Sequence, residues 1–277
     1  MLEHIKATTD TPTIITTQSN NPAQTTPKYW SHRLPKTPNI TVHYCKTLAS
    51  TEEIAQKFLQ DKVLGLDLEW KANAPASDGI LSNVSMIQLA NESRIALFHL
   101  ALFKPARGRQ HLVSPTLKRI IESPDITKVG VSIKADCTRL RKFLNIHARA
   151  IFELSHLYRL VKYCRSEPKN VNKRLVSLTQ QVEEYFGLPL AKDEDVRCGD
   201  WTTSLAYSQV HYAAADPYAC YRLFHAMNEK RLALEPVPPL PAHAELDLPI
   251  RIVCENPVVE SDVKIETHVS RGDRALD

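Results

Sequence analysis

Three separated segments carry acids whose type and placement could do chemistry: Asp67 and Glu69 in VLGLDLEW, Asp136 at the end of KVGVSIKAD, and Asp216 in HYAAADPYACYRLF. Residues 63–70 form a short apolar run. Period-two alternation puts Leu64, Leu66, Leu68 and Trp70 on one face of a strand and Val63, Gly65, Asp67 and Glu69 on the other, so the two acids point the same way. Unpaired buried carboxylates cost several kcal/mol each, and no Lys or Arg inside the run neutralises them. A divalent cation would. A strand whose acidic end simply reaches water explains an Asp-x-Glu taken alone, but three such segments together read as a two-metal site for phosphodiester hydrolysis.

The second segment alternates Val129, Val131 and Ile133 as a strand, then takes up helical spacing through Leu140, Phe143 and Leu144. Asp136 stands at that strand-to-helix junction, where it can act as an N-cap, as a ligand, or as both. In the third segment, both His211 and Tyr212 precede Asp216 at distances that suit a catalytic partner. On a continuous helix a residue four positions back lies about 40° from Asp216, whereas one five back lies about 140° away. This spacing favours Tyr212. His211 would serve only if the helix began later, with His211 on the preceding loop.

The elements that must position these residues follow from periodicity. VLGLDLEW, VSMIQLAN and RIALFHL are three expected strands, the last two joined by a tight turn at Asn91–Ser93 as an antiparallel hairpin. KVGVSI and RAIFEL give two more. Helices are expected at 114–122, with Ser114 and Pro115 at its start, and at 136–144, 154–164, 175–186 and 207–231. Strands followed by alternating helices and strands make a mixed α/β sheet.

Length and composition bound the rest. At 277 residues and 43% hydrophobic content, the chain can bury one substantial core. Residues 1–38, rich in Thr, Asn, Gln and Pro, read as a disordered leader. The catalytic domain is expected over 39–233, and residues 234–277 read as a Pro-rich, polar tail. A net charge of +4 permits a polyanionic partner without demanding one. The six cysteines include no C-x-x-C pair, which argues against a zinc knuckle or disulfide framework and for a reducing compartment. No signal-like segment or membrane-length apolar run is seen, so the expectation is a soluble intracellular protein, with the nucleus slightly favoured over the cytoplasm.

Taken together, GLDLEW, ITKVGVSIKAD, LPLAKDEDVRCGDW and QVHYAAADPYA resemble the DEDD 3′–5′ exonucleases of the RNase H-like superfamily, in the tyrosine-containing subclass, and within it the Werner-type exonuclease domains. The resemblance runs from about residue 40 to 230. It implies a DnaQ-like fold, a mixed five-stranded sheet flanked by helices with the acidic motifs meeting at one edge. It also implies that Asp67, Glu69 and Asp216 hold a first metal ion, that Asp67 also touches a second, that Asp136 acts through water, and that Tyr212 orients the attacking water. Hard oxygen ligands favour Mg²⁺ or Mn²⁺. Two such ions about 3.5–4 Å apart suit an in-line displacement that releases nucleoside 5′-monophosphates from the 3′ end of DNA or RNA. The chain departs from the family pattern at Pro217, where alanine is commoner, and at Ala135, where glycine is frequent.

Beside these motifs, Trp70, Lys192, Arg197 and Trp201 offer charge for phosphates and ring faces for bases. Each has an ordinary structural alternative, as core or as solvated surface. A binding or scaffold protein on the same fold with impaired catalysis is the competing reading, motivated by Pro217. No Walker-type GxxxxGK[ST] motif occurs in the sequence, so the expectation is an enzyme that acts alone or borrows an unwinding partner in trans.

Overall fold

The computed structural model describes residues 13–14, 27–34, 39–104, 108–173, 175–191 and 193–252. Its strands are β1 (Thr13–Ile14), β2 (Thr41–Cys45), β3 (Val63–Glu69), β4 (Met86–Ala90), β5 (Arg94–Phe98), β6 (Thr127–Gly130) and β7 (Ile151–Glu153). Its α-helices are α1 (Leu48–Ala55), α2 (Ile80–Asn83), α3 (Pro115–Glu122), α4 (Ile133–Arg139), α5 (Leu154–Tyr163), α6 (Leu178–Phe186), α7 (Glu194–Arg197) and α8 (Tyr207–Leu232). The strands form one mixed sheet in the order β1-β2-β5-β4-β3-β6-β7. All five expected strands are present. The sheet is wider than five because TVHYC at 41–45 pairs in parallel with β5, and Thr13–Ile14 adds an antiparallel edge beyond it.

Strand β3 is central, antiparallel to β4 and parallel to β6. β4 and β5 form the expected hairpin, and Asn91 Oδ1 closes its turn by accepting from the amides of Ser93 and Arg94. The sheet separates two cores. Leu64, Leu66 and Leu68 of β3 pack with Leu117, Ile120 and Leu140 on one side. On the other side, Met86 and Ala90 of β4 meet Ala213, Ala214, Tyr218 and other residues of α8.

Two helix boundaries differ from the sequence reading. The strand of KVGVSI ends at Gly130, because Ser132 takes a left-handed conformation (φ 59°) and starts α4 at Ile133. Asp136 therefore lies inside the first turn and is not the N-cap. α6 begins at Leu178, where Ser177 Oγ accepts from the Gln180 amide, three residues later than expected. The helix at 114–122 starts as read, with Ser114 Oγ accepting from Leu117 N.

Residues 27–34 pack against the domain, although composition had placed them in a leader. Trp30 is only 4% exposed. Beyond α8 the chain continues over the surface with Ala244 and Ile250 buried. The rest of the expected leader, and residues 253–277 of the expected tail, lie outside the described residues. Among the described residues, no helix is long and apolar enough to cross a membrane.

Candidate active site

Strand β3 presents Gly65, Asp67 and Glu69 on the face that α8 crosses. A Cβ at Gly65 would collide with the Pro217 carbonyl, so glycine is what lets the helix backbone sit directly on the strand. That close approach brings Asp216, the residue before Pro217, against Asp67. α8 runs unbroken from Tyr207 to Leu232 with Pro217 inside it. Proline has no N–H to give the turn before it, but the helix neither stops nor restarts there.

Asp136 reaches the same cleft from the first turn of α4. The start of that helix is held by Glu153, which is 4% exposed and accepts from the backbone amides of Ser132 and Ile133 as well as from Ser155. Sequence reading overlooked Glu153. Its signal was an acid at a strand-to-helix junction, the same signal that Asp136 carries.

The four carboxylates share one electrostatic environment. Burial pushes the Asp67 carboxyl up to about 7. Burial also holds Glu69 well above its usual range, reinforced by the charges of Asp67, Asp216 and Asp136 and opposed by Arg197. Asp136 is raised by burial, then by Asp67 and Glu153, and Arg139 opposes the shift. Asp216 is raised by burial and by Asp67, against a hydrogen bond from Tyr212. Glu69 and Asp136 are 8% and 7% exposed, while Asp67 and Asp216 are half-buried. None of the four is in an ion pair among the described residues.

Across from Asp67, on the same face, stands Gln88 of β4. It is fully buried, and among the described residues neither its amide nitrogen nor its oxygen has a hydrogen-bond partner. Such an orphaned amide costs about 1–3 kcal/mol and is unusual without a further ligand or water nearby. Gln88 was not singled out from sequence, since a lone Gln in a strand carries no signal.

Tyr212 and His211 part company on α8. The Tyr212 hydroxyl donates to the Asp216 carboxylate, as the four-residue spacing requires. Burial and the charges of Asp216, Glu69 and Asp67 keep that phenol protonated. His211 points elsewhere, its Nε2 lying 2.8 Å from Ser31 Oγ.

The expected substrate contacts fare unequally. Arg197 is exposed, pairs with Glu194 at 3.1 Å, and lines a cavity of about 370 Å³ together with Tyr212 and Asp216. Trp201 is corrected to a supporting role: its ring is fully buried and therefore offers no face to a base. It packs beside Tyr212 with centroids 6.2 Å apart, and its Nε1 donates to Arg197 O. Trp70 packs against the core on the far side of the sheet with the Arg139 guanidinium 4.0 Å from its ring centroid. Lys192 lies outside the described residues.

A family model described as 3′–5′ exonuclease matches residues 42–231. The bifunctional 3′–5′ exonuclease/ATP-dependent helicase WRN of Mus musculus is 29% identical over 171 residues, covering 61% of this chain and 11% of that protein. A 3′–5′ exonuclease of Arabidopsis thaliana is 24% identical over 172 residues, covering 60% of this chain and 52% of that one. The chain thus spans about a tenth of the first relative and about half of the second. Among solved structures, the Aedes aegypti Nibbler EXO domain superposes with a TM-score of 0.59 at 18% identity, covering 74% of this chain and 93% of that domain. At that identity the likeness shows a shared fold.

Proposed function

We propose that this chain, which belongs to the 3′–5′ exonuclease family, hydrolyses nucleic acids from the 3′ end with divalent cations as cofactors and releases nucleoside 5′-monophosphates. The observation that carries the reading is the convergence of Asp67, Glu69, Asp136 and Asp216, from three segments of sequence, on one cleft. As they stand, no three His, Cys, Asp or Glu side chains among the described residues are arranged to hold a metal ion. The donor chemistry nevertheless fits one. Among the described residues the four carboxylates have no ion-pair partner, each is destabilised as an anion, and the buried Gln88 amide opposite Asp67 has no hydrogen-bond partner. Such oxygen donors suit a hard cation such as Mg²⁺ or Mn²⁺.

In this reading Asp67, Glu69 and Asp216 hold the cations, and Asp136 contributes through water. When bound, the cations supply charge neutralisation for the phosphate and a more acidic water for attack. The protein's own groups supply the rest. Tyr212 orients the attacking water through the hydroxyl it aims at Asp216. Trp201 fixes the Tyr212 ring, and Glu153 fixes the helix that carries Asp136. Arg197, at the rim of the smaller cavity, offers charge to a substrate phosphate.

The test uses 3′-labelled and 5′-labelled single-stranded and recessed-end DNA and RNA with Mg²⁺, Mn²⁺ or EDTA, beside Asp67→Ala. Stepwise loss from the 3′ end that needs the metal and drops at least about 100-fold in the variant supports the reading and ranks the substrates. Binding without any degradation would overturn it in favour of a scaffold role.

A further inference from the structure

A cavity of about 570 Å³ beside Asp216 is not bounded by the matched family region alone. One wall is residues 27–34, and the other is the beginning of α8. The family match begins at residue 42, so this wall lies outside the matched region.

This wall is built in, not draped on. Trp30 stacks on Phe186 and Tyr218 with centroids 5.4 and 6.1 Å away, and its amide donates to Pro189 O at 2.8 Å. Ser31 bonds His211. Arg33 Nη1 donates to the Tyr207 hydroxyl at 3.0 Å, and its guanidinium lies 5.8 Å from that ring's centroid. The segment is thereby tied to both ends of the first helical turn that leads to Tyr212 and Asp216.

The cavity it encloses is continuous with the proposed chemistry. Leu190, Ala191, Tyr212 and Asp216 line both this cavity and the smaller one at Arg197, so the two meet at the Tyr212–Asp216 pair. Each brings one arginine, Arg33 in the larger and Arg197 in the smaller. The larger also exposes two aromatic side chains at its mouth, Tyr29 (42%) and Tyr207 (59%), over a floor that includes Leu34 and Val196. Cations for phosphate, ring faces for a base and an apolar floor are what single-stranded nucleic acid needs, and the volume lies within the roughly 300–1,000 Å³ of sites for ligands of nucleotide size.

We propose that this cavity is a substrate subsite that holds a nucleotide next to the scissile phosphate, with Arg33 on its phosphate and Tyr29 and Tyr207 as faces for its base. The inference rests on the exonuclease reading for its orientation but makes its own claim about residues 27–34. It also gives His211 a purpose as the anchor of the wall through Ser31.

The experiment separates the two readings. Binding of a 5′-fluorescein-labelled 12-nucleotide single strand, DNA and RNA, is measured by anisotropy in EDTA for the full chain, Arg33→Ala, Arg33→Lys and Tyr207→Ala. KM and kcat are measured on the same strands with Mg²⁺ or Mn²⁺. Arg33→Ala and Tyr207→Ala are expected to weaken binding and raise KM about 5- to 20-fold with a much smaller change in kcat, and Arg33→Lys to recover part of the loss. Thermal melting of each variant checks that the wall stays folded, and a lower melting point with unchanged affinity would assign residues 27–34 a structural role and overturn the subsite. If the wild type degrades the strands and both alanine variants match its Kd and KM within twofold, the subsite is also overturned. If the wild type binds without cutting and Arg33→Ala binds more weakly, the exonuclease reading falls and the subsite stands. If the wild type neither binds nor cuts, both fall.

Discussion

Tyr212 and His211 are neighbours in sequence and divide two tasks between them, because one helical residue turns the side chain by about 100°. Tyr212 reaches the Asp216 carboxylate, and His211 reaches Ser31 of the 27–34 segment. The phenol is held protonated by burial and by three nearby acids, so it can donate a hydrogen bond across the working pH range. Tyr212→Phe is therefore expected to lower kcat about 10- to 100-fold while leaving the melting point within about 2 °C, since the ring and its packing on Trp201 are retained. His211→Ala should instead act mainly through residues 27–34, raising KM. Steady-state kinetics on a labelled 3′ end distinguish the two. A Tyr212→Phe enzyme with unaltered kcat would remove the hydroxyl from the reaction.

At the scale of elements, the contact between α8 and β3 decides whether Asp216 meets Asp67. It depends on the absent side chain at Gly65, which leaves room for the Pro217 carbonyl. Overpacking usually costs about 1–3 kcal/mol, and here the clash is backbone against backbone, with no flexible side chain to yield. Gly65→Ala is expected to destabilise the fold by about 3 kcal/mol or more and, in whatever protein remains folded, to cut activity sharply by moving α8 off the strand. Denaturant unfolding together with activity per folded molecule checks both. A variant of wild-type stability would mean that the helix can shift at no cost. The same geometry explains why Pro217 is tolerated: the helix is fixed by packing on the sheet, so losing one backbone hydrogen bond does not end it.

At the scale of the whole molecule, residues 27–34 extend the core by lodging Trp30 between α6 and α8, and they bring buried His32 with them. Burial, followed by the charges of His211 and Arg33, lowers His32 to about 3 from its ordinary 6.5. The unfolded chain therefore binds a proton between those values that the folded chain refuses. The stability tied to neutral His32 is complete above about pH 6.5 and is lost as pH falls through the window toward 3, by up to about 2 kcal/mol at pH 5. Other buried histidines, His43 and His99 among them, act in the same direction, whereas the raised carboxylates of the cleft act oppositely. The comparison that isolates His32 is between melting points at pH 7 and pH 5 in the wild type and in His32→Phe. The variant should lose less on acidification. Equal losses would show that His32 is not kept neutral in the fold.

What the sequence by itself determined is what depends on local spacing. Alternation in 63–70 set Asp67 and Glu69 on one face, the four-residue step set Tyr212 beside Asp216, and Ser114 with Pro115 marked the start of α3, because period and capping are properties of consecutive residues. The five strands β3 to β7 were legible for the same reason. The tertiary structure alone decided what depends on residues distant in the chain. The strand at 41–45 is a strand because β5 lies ready to pair with it, and Asp136 is a first-turn residue because Ser132 starts its helix early. Trp201 is a buttress because His99 and Tyr212 enclose it, Gln88 matters because register sets it opposite Asp67, and Trp30 belongs to the core because Phe186 and Tyr218 receive it. Composition reads a segment by its average polarity, whereas burial is set by the few side chains that find a complementary surface.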